Sequence, residues 1–263
     1  MRVTHTHYTI GTYPVTGTGL GVSAADLDTA LSGPVATVVF DDASNDKIAT
    51  LLGSLADTEF AQDNLKALLT NEREPEDWRV GEALAECYLA ANRNCYFPWP
   101  DSRDERKRGS SLPGADLVGF QCDGQIERFA FGEVKTSAED SYPPGAAYGR
   151  HGLKQQLEDL RDSRTIRDDL VKYLGHRATQ STWWKRYQSA ASVYLRNPLE
   201  VRIFGILVRD VAPHQDDLRA RVTALGRNCH GGTVIELLGI YLPQGRIATL
   251  GAQVAATRQQ GGA

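Results

Sequence analysis

A chain of 263 residues, 41% hydrophobic and 24% charged, has the length and composition of a globular protein with a buried core, in one large domain or two small ones. No apolar run approaches the roughly 20 residues that span a bilayer, and no signal-peptide pattern opens the sequence, so a cytoplasmic protein without membrane segments is expected. A net charge of −4 excludes a protein that coats nucleic acid by bulk electrostatics, although a locally positive groove or a metal-offset carboxylate cluster stays open.

Residues 1–75 read as a small α/β region. Tyr8 and Ile10 lie in a β-rich opening, and the apolar run at residues 34–40 (PVATVVF) predicts a buried strand. Ser44 or Asn45 is placed to cap a helix carrying Ile48, Leu51, Leu52 and Leu55, and a second helix is predicted over residues 59–69. The acidic stretch 71–77, with Pro75, marks a boundary before a larger unit over residues 76–254. There a long helix from Trp78 to about Ala91 has apolar residues on two sides: Val80, Leu84, Cys87, Tyr88 and Ala91 on one, Ala85 and Leu89 on the other. Glu82 and Glu86 project from the second side, where an unpaired carboxylate is costly.

A charged loop at residues 101–111 precedes two strands, 115–121 and 126–136, with Asp123-Gly124 as the turn signal between them. Helices follow from Leu153 through Leu174 and again around Trp183, Tyr187 and Tyr194. Strands at residues 201–208 and 233–242 flank a helix near 216–225, and a polar, Gly-rich tail from residue 255 is expected to be flexible. The fold class predicted is therefore α/β, a central mixed sheet flanked by helices with the small N-terminal region attached.

The hairpin carries the chemistry. With Asp123-Gly124 as a two-residue turn, Cys122 pairs with Gln125, Asp116 faces Phe131, and Glu133 is the diagonal neighbour of Asp116 on the same face. Strand alternation adds Lys135 to that face and turns Val134 away. Two acids and a lysine at one end of an apolar hairpin suit a hard cation: Mg²⁺ takes oxygen ligands, commonly one or two carboxylates with water and substrate phosphate. An ordinary cross-strand salt bridge is the alternative, and Phe129 and Phe131 on the same face weigh against it because they mark that face as buried.

The segment Leu112-Pro113-Gly114-Ala115-Asp116-Leu117-Val118-Gly119-Phe120, followed by Phe131-Gly132-Glu133-Val134-Lys135, resembles the motif of the PD-(D/E)XK nuclease superfamily. The E-x-K half is intact after an apolar strand, whereas Ala115 stands where the motif has proline. The resemblance covers residues 78–160. It implies a restriction-endonuclease-like core and Mg²⁺- or Mn²⁺-dependent cleavage of DNA or RNA. Asp116, Glu133 and a helix acid would bind metal, and Lys135 would act beside them. Glu82 matches the helix acid, with Glu86 in reserve, and Gln156 matches the glutamine that RecB-like members carry on the following helix. A solvated helix glutamate and a surface glutamine are the plain alternatives for these last positions. Size, N-terminal region and motif order are similar to the nuclease subunit of Hachiman-type bacterial antiphage systems, which implies a helicase or ATPase partner. The chain itself has no Walker motif, and residues 1–75 are the expected docking region. A nuclease-fold subunit without turnover and a small-molecule hydrolase remain open.

Other signals are weaker. Arg103, Arg106, Lys107 and Arg108 precede the hairpin but are offset by Asp101, Asp104 and Glu105. Arg161, Arg164 and Arg167 have acidic neighbours at helical spacing, and Lys185 and Arg186 flank an aromatic core stripe. His5-x-His7, Cys229-His230 and the four scattered cysteines lack zinc-site spacing. Gly17-x-Gly19-x-Gly21 lacks the lysine of a phosphate loop.

Overall fold

Strand β1 (His5–Thr12) folds back antiparallel on β2 (Val15–Gly21), and β2 then runs parallel to a strand near the far end of the chain. The alternating glycines of β2 explain themselves here. A Cβ on Gly19 would meet the Tyr8 ring at 2.3 Å, and one on Gly21 would meet His7 at 2.6 Å, so the bare strand makes room for side chains of β1. These glycines serve close packing between strands rather than phosphate binding.

In this computed structural model, which describes residues 1–69, 74–100, 103–104, 114–149 and 151–261, the chain continues through α1 (Ala24–Ala30), a π-type turn at Leu31–Val35, α2 (Ala36–Phe40), α3 (Asp42–Gly53) and α4 (Glu59–Leu69). The expected strand at residues 34–40 is thus helical. A short, mostly apolar run does not distinguish a buried strand from a buried helical turn. Here Val35 and Phe40 are both buried in the core that receives α5 (Asp77–Arg93). The cap of α3 also differs, since Asp41 in a left-handed conformation (φ 49°) precedes the helix.

After α5 come β3 (Cys95–Tyr96), β4 (Leu117–Asp123), β5 (Ile126–Ser137), α6 (Leu153–Asp162), α7 (Arg164–Ala178) and α8 (Trp184–Arg196). Then follow β6 (Arg202–Arg209), α9 (Asp216–Gly226), β7 (Val234–Tyr241) and α10 (Leu250–Gly261). The seven strands form one mixed sheet in the order β1-β2-β7-β6-β5-β4-β3, with β2, β7, β6 and β5 mutually parallel. The sequence-predicted α/β architecture with a central mixed sheet is the one observed, and the N-terminal region supplies two of its strands. One core, including Leu27, Phe40, Leu84 and Val254, lies between the sheet and α1, α2, α5 and α10. The other, including Phe129, Leu157, Leu174 and Leu218, lies beneath α6, α7, α8 and α9.

The C-terminal segment expected to be flexible is helical through Gly261. Val254 is fully buried, and Arg258 pairs with Asp42 and covers the Phe40 ring, so tertiary contacts order a sequence with little local helical signal. Among the described residues no helix is long and apolar enough to cross a membrane.

Candidate functional site

Hairpin β4–β5 turns one residue later than its Asp-Gly signal suggests, which shifts the cross-strand pairing by two residues. Asp123 pairs with Ile126, leaving Gly124 and Gln125 in the turn, with Gly124 at φ +65°. Glycine takes that left-handed conformation without a Cβ penalty, so the turn centres on Gly124 as its first residue. Leu117 consequently faces Gly132. Continued by one residue, this register sets Asp116 opposite Glu133 rather than diagonal to it. Because the shift is two residues, the face is preserved.

The structure brings Asp116, Glu133 and Lys135 together. Glu133 is fully buried, and its Oε1 accepts a hydrogen bond from Lys135 Nζ at 2.5 Å. The Asp116 carboxylate lies within hydrogen-bonding reach of Glu133, and its Oδ2 accepts from the Val134 backbone N–H at 2.7 Å. That amide is a positioning group the sequence did not reveal; only the hairpin register brings it under Asp116. Burial, then the neighbouring Asp116 charge, push the Glu133 pKa upward against the pull of Lys135. Burial works to lower the Lys135 pKa, but Glu133 and Asp116, with a further contribution from Glu82, raise it overall. The ammonium is therefore held charged beside two acids, one of which is costly to ionise without a further cation.

Glu82 reaches this cluster from the opposite layer. Helix α5 crosses β5 so closely that a Cβ on Gly81 would come within 1.9 Å of Thr136 Oγ1, which places Glu82 beside the end of β5 where Lys135 stands. Glu82 and Asp116 line one cleft, with Arg79, Glu86, Val38 and Pro100 as further walls. Glu82 thus stands on the α5 side of the cluster formed by Asp116, Glu133 and Lys135. Gln156, on α6, is half-buried in the layer that covers the Glu133 face. Its Oε1 is buried without a hydrogen-bond partner, as is Glu133 Oε2.

Glu86, one turn beyond Glu82, has its pKa pushed up to about 7, first by burial and then by Asp41, against the opposing charge of Arg103. Between the ordinary carboxylate value and about 7 the folded chain keeps a proton that the unfolded chain releases. Stability from this group is therefore complete at low pH and falls as pH rises through that window. Glu86→Gln is expected to stabilise the protein at pH 8 by on the order of 2 kcal/mol and to change little at pH 4. Urea unfolding of both proteins at the two pH values checks this, and an equal difference at both would contradict it.

Several of the weaker cationic candidates are engaged elsewhere. Arg103 pairs with Asp41 at 2.6 Å, while Arg106, Lys107 and Arg108 lie outside the described residues. Arg161 pairs with Asp162 and Arg164 with Asp168, and the buried Arg167 donates to the carbonyls of Leu160 and Arg161. Trp183 is buried against Phe120, and Arg186 pairs with Glu127. The cysteines are free.

The fold and site thus define an α/β protein with an acid–acid–lysine cluster at the end of a central hairpin. No known protein-family model matches the chain, and no curated protein matches it in sequence.

Proposed function

We propose that the chain is a metal-dependent nuclease of PD-(D/E)XK type that hydrolyses phosphodiester bonds in nucleic acid, DNA foremost. The observation that carries this reading is the buried pair Asp116–Glu133 with Lys135 against it and Glu133 Oε2 left without a partner. A buried carboxylate oxygen lacking a donor asks for a cation, and a pair of carboxylates is a ligand set that suits Mg²⁺ or Mn²⁺. Such an ion, when bound, polarises the scissile phosphate and makes water a better nucleophile.

The side chains have separable tasks in this reading. Asp116 is fixed by the Val134 amide and would hold the ion together with Glu133. Lys135, 23% exposed at its side chain, has ammonium donors beyond the one given to Glu133. It can orient the attacking water and meet charge developing on the phosphoryl oxygens. Glu82 helps keep that ammonium protonated, and the Gln156 carbonyl, on the opposite layer, is an unpartnered acceptor that could take a hydrogen bond from a water. In the reaction the water oxygen bonds to phosphorus as it gives up a proton to solvent, the ester P–O bond breaks, and the leaving oxygen takes a proton from solvent.

Incubating the purified chain with duplex DNA, single-stranded DNA and RNA, in Mg²⁺, Mn²⁺ or chelator, tests the proposal. Metal-dependent shortening of at least one polymer is expected. Binding without cleavage would identify a nuclease-fold subunit that no longer turns over, and activity on mononucleotides alone would identify a small-molecule hydrolase. A role as effector of a bacterial antiphage complex, driven by a helicase or ATPase partner in the cytoplasm, is the biological setting that the sequence resemblance favours.

A further inference from the structure

Helices α3 and α4 differ from the other described helices in having no buried residue. Leu51 is 69% exposed, Leu55 72%, Phe60 77% and Leu68 67%, and Ile48 is exposed as well. Ile48 and Leu51 stand three residues apart on one side of α3, and Leu55 follows in the turn just past its end. Single exposed apolar side chains are ordinary, but five large ones within one helical hairpin are not. The hairpin is nevertheless firmly rooted. Asp41, at its start, pairs with Arg103, and Asp42 pairs with Arg258 of α10. Its root adjoins α2, whose Val38 and Val39 line the cleft that contains Asp116 and Glu82.

The charges around these side chains indicate what covers them. Asp46, Asp57, Glu59 and Asp63 are all exposed, against only Lys47 and Lys66. A second copy would set two acidic hairpins face to face, and an anionic lipid surface would be repelled in the same way. A basic amphipathic helix has the opposite property, since its apolar face fits the exposed apolar side chains while flanking Lys and Arg side chains meet the acids. We propose that α3–α4 is a docking element that receives an amphipathic helix of a partner protein, apolar on one face and basic at its margins, completing a three-helix bundle beside the candidate site.

The test uses the full chain and two labelled peptides of about three heptads, with Leu at the core positions and either Lys or Glu elsewhere, read by fluorescence anisotropy at physiological salt. The Lys peptide is expected to bind at least about tenfold more tightly than the Glu peptide. The double variant Leu51→Ser/Leu55→Ser is expected to lose that binding, while Leu195→Ser, a comparably exposed leucine at 82%, retains it. Because all three leucines are exposed, the variants stay folded, which circular dichroism verifies. Glu59→Lys/Asp63→Lys is expected to reverse the peptide preference. The proposal is overturned if neither peptide binds at micromolar concentration, if both bind equally, or if Leu51→Ser/Leu55→Ser binds as the parent does. It is also overturned if sedimentation shows the parent chain self-associating and the double variant monomeric, because the face then belongs to a second copy.

Discussion

Replacing Lys135 by Ala is expected to lower metal-dependent cleavage by about 10²–10³-fold or more, the scale on which removal of a single transition-state donor is felt. The reason lies in its placement. Its ammonium touches Glu133 at 2.5 Å and is partly exposed, whereas its strand neighbours Phe131 and Val134 are held in the two cores. Truncation therefore removes a charge from the site and little from the packing. Glu133, already inclined to take up a proton by burial and by Asp116, can answer the loss by protonating, so thermal unfolding is expected to move by only a few degrees. Single-turnover cleavage together with anisotropy of a nucleic-acid probe separates chemistry from binding. Near-parental turnover in Lys135→Ala would remove the residue from the reaction.

The second large effect is expected at Asp116. Asp116→Asn retains an oxygen that accepts from the Val134 amide, so the hairpin end stays fixed, but it removes one of the two negative charges that suit a divalent ion. Replacement of groups that merely orient a metal ligand costs about 10–100-fold in affinity, and a direct ligand is expected to cost at least that much. Calorimetric titration of Mn²⁺ into parent and variant measures the loss, and cleavage should fall with it. An unchanged affinity in Asp116→Asn would mean that the carboxylate serves the hairpin through the Val134 amide and not the ion. That result would leave Glu133 to be tested alone.

These expectations rest on a site that was largely legible as a set of residues and less so as a geometry. Asp116, Glu133 and Lys135 could be grouped because strand alternation is insensitive to a two-residue slip, so the face survives an error in the turn. Which residues stand directly opposite is sensitive to that slip. The observed pairing of Asp123 with Ile126 settles the turn at Gly124-Gln125, which one Asp-Gly signal leaves ambiguous between neighbouring positions. Glu82 and Gln156 belong to elements that approach the hairpin from opposite layers, and no sequence spacing encodes how close they come. The approach of α5 depends on Gly81 over Thr136, and the unpartnered Gln156 oxygen depends on how α6 lies on the sheet.

The sequence by itself determined the α/β class, the placement of most helices and the parallel strands, and the side of β5 on which acid and lysine stand. Each of these follows from local periodicity, which side-chain burial imprints directly on the chain. Tertiary structure decided the rest. Residues 34–40 became helical because Val35 and Phe40 were needed against α5 and α10, and the last residues became helical because Arg258 and Val254 found partners on Asp42, Phe40 and the core. Tertiary packing likewise joined the N-terminal hairpin to β7 and left the apolar side chains of α3–α4 uncovered. Short apolar runs and Gly-rich tails carry too little local free-energy preference to choose a conformation, so contacts from distant parts of the chain choose it for them.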